Sequence, residues 1–151
     1  MGSSGARSRS AVRFKVEWRL PSDPAFLPVV RGAVERLCAV FGWDESEARS
    51  VTLAIDEALT NVIRHAYHKR PDGVIAFVCE EKEDVLEFLV SDTGDAPDPA
   101  KICARARESH AAGGMGTHII RDVMDTTDYR RSGMANHLIM TKRLKRSAEG
   151  S

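Results

Sequence analysis

Hydrophobic and polar residues alternate at the start of the chain, and the spacing then becomes helical. Val12, Phe14, Val16 and Trp18 alternate with charged residues, which predicts a half-buried strand over residues 11–20. Asp23 before Pro24, followed by apolar residues at helical spacing, predicts a helix over residues 25–41 that stops at Gly42. Asp44, with Glu47 three residues later, predicts the start of a second helix that runs to about Tyr67.

The second half of the chain contains two predicted hairpins separated by an irregular segment. Two predicted strands at 74–80 and 85–91 flank a charged turn, and two more at 126–131 and 137–142 flank Gly133. Residues 94–113 are irregular apart from a weak helical patch around Ile102, which is typical of a functional lid, and a helix is predicted over 116–124. The order β-α-α-β-β-lid-α-β-β predicts an α+β protein, a two-layer α/β sandwich with a mostly antiparallel mixed sheet and helices on one face.

Length and charge narrow the class of protein. A chain of 151 residues suits one domain, which we assign to residues 11–145, with disordered segments at 1–10 and 146–151. Lys+Arg and Asp+Glu both number 22, so the net charge does not favour direct nucleic-acid binding. No apolar run is long enough for a membrane span, no signal peptide is visible, and three distant cysteines have no metal-binding spacing. We therefore expect a cytoplasmic protein with reduced thiols.

The second predicted helix places three polar residues on one stripe. Glu57, Asn61 and His65 are spaced four residues apart, at the border of the apolar face. An Asn carboxamide oxygen suits Mg²⁺, and a carboxylate one turn away could act as a general base. For this motif alone, a polar helix edge is the more common explanation.

Two further motifs and one arginine are compatible with nucleotide binding. Asp92 ends an apolar strand and could accept the amino group of adenine, while Gly94 would let the base approach the backbone; a simple turn explains the same residues. The glycine-rich segment 113–117 precedes a helix, whose free N–H groups favour phosphate, although a hinge is an equal alternative. Arg31 lies off the apolar stripe of the first helix and could bind phosphate or remain a solvated surface residue.

Taken in order, these motifs resemble those of the GHKL ATPase superfamily, which has a Bergerat-type ATP-binding fold. Residues 57–65 are similar to the N box, Asp92-Thr-Gly94 to the G1 box and Gly113-Gly-Met-Gly116 to the G2 box. Within the superfamily the chain most resembles the anti-sigma-factor serine kinases of the RsbW and SpoIIAB type. The most specific match is Asp56-Glu-Ala-Leu-Thr-Asn-Val-Ile-Arg-His-Ala-Tyr67.

The resemblance implies a set of site residues. Asn61 would ligate Mg²⁺, and Asp92 with Gly94 would bind the adenine of ATP. Residues implied in the remaining nucleotide contacts are His65, Ala66, Gly113, Gly114, Met115, Gly116, Thr117 and, on the last strand, Thr141. Glu57 would be the catalytic base, and Arg31 would engage the γ-phosphate or the partner.

The resemblance also implies partners. A STAS-type anti-anti-sigma protein would receive the phosphoryl group on a serine, leaving ADP, and would compete with a sigma factor for the kinase, which would be a homodimer. Two differences from the family pattern stand out: the G1 box lacks its second glycine, and Asp56 replaces the common serine before Glu57. The alternatives are an ATP-gated binding module without kinase activity and, less favoured, a detached histidine-kinase ATP-binding domain.

Overall fold

The computed structural model describes residues 13–96 and 115–145, excluding the side chains of residues 115–117. Within these ranges five strands and three α-helices form: β1 (Lys15–Pro21), α1 (Leu27–Val40), α2 (Glu45–Asn61), β2 (Val74–Lys82), β3 (Val85–Asp92), α3 (Met115–Val123), β4 (Thr126–Ser132) and β5 (Ala135–Arg143). A short 3₁₀ turn, Pro24–Phe26, precedes α1, and a π-helical turn, Val62–Ala66, follows α2.

Both predicted capping residues accept a hydrogen bond from the chain that follows them, but Asp23 caps the 3₁₀ turn rather than α1, which begins at Leu27, whereas Asp44 caps α2 directly. Asp23 Oδ1 accepts the Ala25 N–H at 2.9 Å, and Asp44 Oδ1 accepts the Glu47 N–H at 2.8 Å. Each contact satisfies a donor that the first turn leaves without a backbone partner. Gly42 has a φ of +89°, a conformation that favours glycine and allows the chain to leave α1.

The strands form one sheet in the order β1-β2-β3-β5-β4, and each of the four pairings between described strands is antiparallel. Alternate residues of the central strands are buried against the helices. This core includes Ile75, Phe77 and Cys79 of β2, Leu86, Phe88 and Val90 of β3, and Val34, Val51, Ile55 and Leu59 of α1 and α2. The predicted α+β sandwich is confirmed.

The second helix differs from the prediction in its last turn. It was expected to stay α-helical to about Tyr67, but from Val62 the chain widens into a π turn, and the Tyr67 N–H donates to the Val62 carbonyl at 3.0 Å. The extra residue in this turn changes the direction of the side chains that follow Asn61. Single π turns inside α-helices are frequent at functional sites.

Part of the predicted organisation lies outside the described residues. This applies to the expected lid beyond residue 96, the patch around Ile102 and the glycines Gly113 and Gly114. In the described part of the chain, no helix is both long and apolar enough to cross a membrane.

Candidate nucleotide-binding site

A cavity of about 300 Å³ opens between the end of α2, the π turn and the sheet. Four of the predicted site residues line it: Asn61, His65, Ala66 and Asp92. Its remaining walls include Val90 of β3, Leu138 of β5, Tyr129 of β4 and Ile120 of α3. A small concave site that is mostly apolar, with a few convergent polar groups, is the usual form of a ligand pocket.

Asp92 is the buried polar residue of this cavity, with 6% of its surface exposed. Its Oδ1 accepts two hydrogen bonds, from the Gly94 N–H at 2.9 Å and from Asn136 Nδ2 at 2.8 Å. Both donors hold the carboxylate in one orientation against the cavity. A carboxylate held in this way offers oxygen acceptors in a fixed position, which suits it to an amino group such as that of adenine.

Asn136 is a site residue that the sequence analysis missed. It is 1% exposed, pairs with Asp92 in the β3–β5 register, and its Oδ1 accepts from Arg131 Nη1 at 2.6 Å. Its amide therefore links the guanidinium to the carboxylate across three strands. The sequence did contain a sign of this role. Asn136 is a polar residue on the same face of β5 as Leu138 and Met140, both of which face the helices.

Thr141 does not reach the cavity, which corrects the expectation that it lies near adenine. Successive residues of a strand point to opposite faces, and Thr141 is an odd number of positions from Asn136. Its register partners are Glu87 and Thr126, and its hydroxyl is hydrogen-bonded to that of Thr126 on the face away from the helices. The buried position beside Asp92 is occupied by Asn136 instead.

Gly94 is close to the protein backbone, which gives it a role that was not foreseen. A Cβ at this position would lie 2.7 Å from the carbonyl carbon of Ala66 and 2.8 Å from the Ala66 Cβ. The neighbouring Asp95 N–H donates to the Ala66 carbonyl at 2.9 Å. Glycine here allows the end of β3 to pack directly on the π turn, so it joins two walls of the cavity.

Tyr67 fixes the same junction from the other side. Its buried hydroxyl donates to the Val74 carbonyl at 2.6 Å and accepts the Thr93 N–H at 3.0 Å. The tyrosine that ends the first motif therefore ties the π turn to the start of β2 and the end of β3. It has a structural role in shaping the site.

Glu57 and Asn61 lie one turn apart on α2, both partly buried, and of the two only Asn61 lines the cavity. Residues four apart on a helix have Cβ atoms about 6 Å from each other. Burial raises the pKa of Glu57, the Arg64 guanidinium opposes this shift, and the negative charge of Asp56 adds to it. A raised pKa makes this carboxylate a stronger proton acceptor than an ordinary glutamate once it is ionised.

Arg31 is paired with the residue that precedes Glu57 in the sequence, and it does not line the cavity. Its Nη1 lies 2.9 Å from Oδ1 of Asp56, the residue that precedes Glu57. The pair joins α1 to α2 and is partly exposed, so its contribution to stability is about 0–1 kcal/mol. The aspartate that differs from the family pattern is the ionic partner of the arginine.

The residues around Asn61 fit a metal ion that is held mainly by a nucleotide. Among the described residues, no group of three His, Cys, Asp or Glu side chains could hold a metal ion. A single amide oxygen beside a cavity of this size matches the way Mg²⁺ is often bound, through one or two protein oxygens, phosphates and waters.

Helix α3 begins at Met115, so Met115, Gly116 and Thr117 form its first turn. Lys142 Nζ donates to the carbonyl of Val123, the last residue of α3, at 3.0 Å. A cation at this end satisfies a terminal carbonyl and complements the helix dipole. Lys142 thereby anchors the end of α3 to β5. Gly113 and Gly114, predicted to bind phosphate, lie outside the described residues.

Comparison with known proteins identifies the class of this chain. Residues 20–142 match the family model described as histidine kinase-like ATPase domain, and the chain belongs to that family. Among curated proteins it is similar to the serine-protein kinase RsbW of several Staphylococcus aureus strains, with 28% identity over 141 residues and 87% of both chains covered. The resemblance to serine kinases of the RsbW type is thus confirmed.

Solved structures share the fold. One contains the RsbU and RsbW domains of a Mycobacterium tuberculosis protein, with a TM-score of 0.64, 18% identity and 89% of this chain covered. Another is the histidine kinase domain of the Erythrobacter litoralis blue-light activated histidine kinase, with a TM-score of 0.56, 20% identity and 82% covered. This chain spans 34% and 61% of those two chains, respectively.

Proposed function

We propose that this protein is an ATP-dependent serine protein kinase that phosphorylates a STAS-type anti-anti-sigma partner and sequesters a sigma factor or another regulatory target. The observation that supports this most directly is the placement of Glu57 and Asn61 on one helix beside a cavity whose buried polar wall is Asp92. In this arrangement Asp92 would recognise the base, Asn61 would bind the metal ion and Glu57 would accept the proton. These roles follow the order of base, metal-bound phosphates and transferred group in a bound nucleotide.

In the proposed reaction, a serine hydroxyl of the partner attacks the γ-phosphorus of ATP. The new P–O bond forms as the bond to the β–γ bridging oxygen breaks, so ADP leaves and phosphoserine remains. Glu57 takes the hydroxyl proton, and Asn61 supplies an oxygen ligand to Mg²⁺, which neutralises phosphate charge when it is bound. Positioning and charge neutralisation account for most of the catalysis in such transfers.

We assign Arg31 to the contact with the γ-phosphate or the partner. Its guanidinium is fixed within one residue of Glu57 by Asp56. A guanidinium that is bound to a carboxylate can bind a phosphate instead, because both groups accept two parallel hydrogen bonds. Because the ion pair is partly exposed, this exchange has a low cost.

The regulatory part of the proposal follows from the similarity to RsbW kinases. The unphosphorylated STAS partner and the sigma factor would compete for the protein, so phosphorylation of the partner would free the kinase to sequester the sigma factor. We also propose that the protein acts in the cytoplasm as a homodimer, built from a single domain over residues 11–145.

The decisive experiment is to incubate the protein with labelled ATP, Mg²⁺ and STAS proteins from the same genome. We expect phosphoserine on one of them, and loss of transfer in Glu57→Gln with ATP binding retained. The matched control is Glu47→Gln on the same helix, which should transfer normally. Full transfer by Glu57→Gln would assign the base elsewhere.

An ATP-gated binding module without kinase activity is the second candidate. It is favoured by the position of Arg31, which pairs with Asp56 rather than lining the cavity. The same experiment separates the two functions. Stable, ATP-dependent binding of a STAS protein without phosphoserine would support the binding module.

A further inference from the structure

Tyr129 lies on the edge strand β4 and lines the cavity. In the register it is opposite Leu138 of β5, which is in turn opposite Val90 of β3. These three side chains form an apolar row across the sheet, and each of them lines the cavity. Tyr129 is 44% exposed, so much of its surface is not packed against the described part of the protein.

The next row toward the strand ends is polar. Arg131, Asn136 and Asp92 are opposite one another in the same registers, and they are joined by the hydrogen bonds described above. The two rows are two residues apart along each strand and share one face. A flat molecule lying on the apolar row would therefore have its edge next to the carboxylate of Asp92.

The electrostatics agree with this placement. Burial raises the pKa of Tyr129 to about 12, the nearby Asp92 carboxylate adds to the increase, and Arg131 opposes it. The phenol therefore stays protonated and uncharged at neutral pH. An uncharged aromatic ring with two rotatable side-chain angles is ordered by a ligand at low entropic cost.

We propose that Tyr129 forms the aromatic wall of the base-binding site and contacts the face of the adenine ring, while Asp92 contacts its edge. The proposal rests on the proposed binding of ATP. It divides recognition between two groups: the apolar row with Tyr129 supplies affinity for any purine, because every base has a π-face, and Asp92 supplies the preference for adenine.

The test is nucleotide binding measured by calorimetry with ATP and GTP in the presence of Mg²⁺. We expect Tyr129→Ala to weaken both nucleotides roughly 5- to 100-fold and to leave their ratio unchanged. Tyr129→Phe keeps the ring and should stay within about threefold of the wild type. Asp92→Asn should instead change the ratio of ATP to GTP affinity.

Arg130→Ala is the matched control, because Arg130 is the exposed neighbour on β4 whose side chain points to the opposite face. Circular dichroism and thermal unfolding check that β4 is intact. If Tyr129→Ala does not fold, Tyr129→Trp replaces it, and ATP should quench the fluorescence of the new indole above the change seen with the native tryptophans.

The outcomes separate the two proposals. A wild-type protein that does not bind ATP would refute the proposed function. If the wild type binds ATP, three results would overturn the aromatic wall alone. Tyr129→Ala could bind ATP as tightly as the wild type, or Tyr129→Phe could weaken binding as strongly as Tyr129→Ala. In the tryptophan variant, the result against the wall is that ATP does not quench the introduced indole. Weaker nucleotide binding in Tyr129→Ala, together with nearly unchanged binding in Tyr129→Phe, would support the aromatic wall.

Discussion

Asn136 Nδ2 donates a hydrogen bond of 2.8 Å to Oδ1 of Asp92, and both side chains are buried between the sheet and the helices. The contact joins the ends of β3 and β5 at the wall of the cavity. A carboxylate held by a neighbouring strand keeps its orientation without a bound ligand. The orientation of the Asp92 side chain therefore depends on a residue 44 positions away in the sequence.

Substitution of Asn136 tests this dependence. Asn136→Ala leaves the Asp92 carboxylate with one fewer donor, so we expect the free energy of unfolding to fall by about 1–3 kcal/mol. ATP affinity should fall as well, as measured by calorimetry at a temperature where the variant is folded. Thr141→Ala is the control on the same strand and the opposite face, and its ATP affinity should equal that of the wild type. An equal loss of ATP affinity in Asn136→Ala and Thr141→Ala would contradict the placement of the base beside Asp92.

Removal of the proposed metal ligand should affect ATP binding specifically. Asn61→Ala deletes the amide oxygen that lines the cavity, and we expect Mg²⁺-dependent ATP affinity to fall by about 100-fold or more. Binding without Mg²⁺ should change much less, because the base contacts remain. Thr60→Ala on the preceding residue is the control. Unchanged affinity in Asn61→Ala would remove Asn61 from the site.

The raised pKa of Glu57 predicts the pH dependence of transfer. Glu57 must be ionised to accept a proton, so the rate with saturating ATP should fall as the pH drops through its pKa. This fall should occur above the ordinary glutamate value of about 4.3, because burial and Asp56 both disfavour the ionised form. Asp56→Asn removes a negative charge and should move the acid limb to lower pH. An acid limb that does not move would exclude Glu57 as the titrating group.

The close contact at Gly94 predicts a difference between two glycines. Gly94→Ala places a methyl group against the Ala66 carbonyl, and the strand end must shift, at a cost of about 1–3 kcal/mol. Gly32→Ala in α1 meets no atom within 4 Å and should stabilise the protein by up to about 1 kcal/mol. Urea unfolding of both variants measures the two changes. A Gly94→Ala protein as stable as the wild type would show that the π turn can move away from β3.

Local signals in the sequence were sufficient for the elements of the fold. Asp23 and Asp44 cap helices, and alternation along β2, β3 and β5 identifies the buried face, because a strand has a period of two. These features depend on residues a few positions apart. Glu57, Asn61 and Asp92 could be selected for the same reason: each stands in a short motif whose side chains suit its proposed role.

Only the tertiary structure decided which distant residues meet. The pairings of Asn136 with Asp92 and of Arg31 with Asp56 depend on strand register and helix packing, which no local pattern specifies. The positions along β5 also excluded Thr141 from the cavity, because neighbouring residues of a strand point to opposite faces of the sheet. The π turn after Asn61 widens a helix that the spacing of its side chains predicted as regular. The sequence by itself determined the elements and their chemistry, and packing determined the partners, because contacts across strands and between helices form only when the whole core assembles.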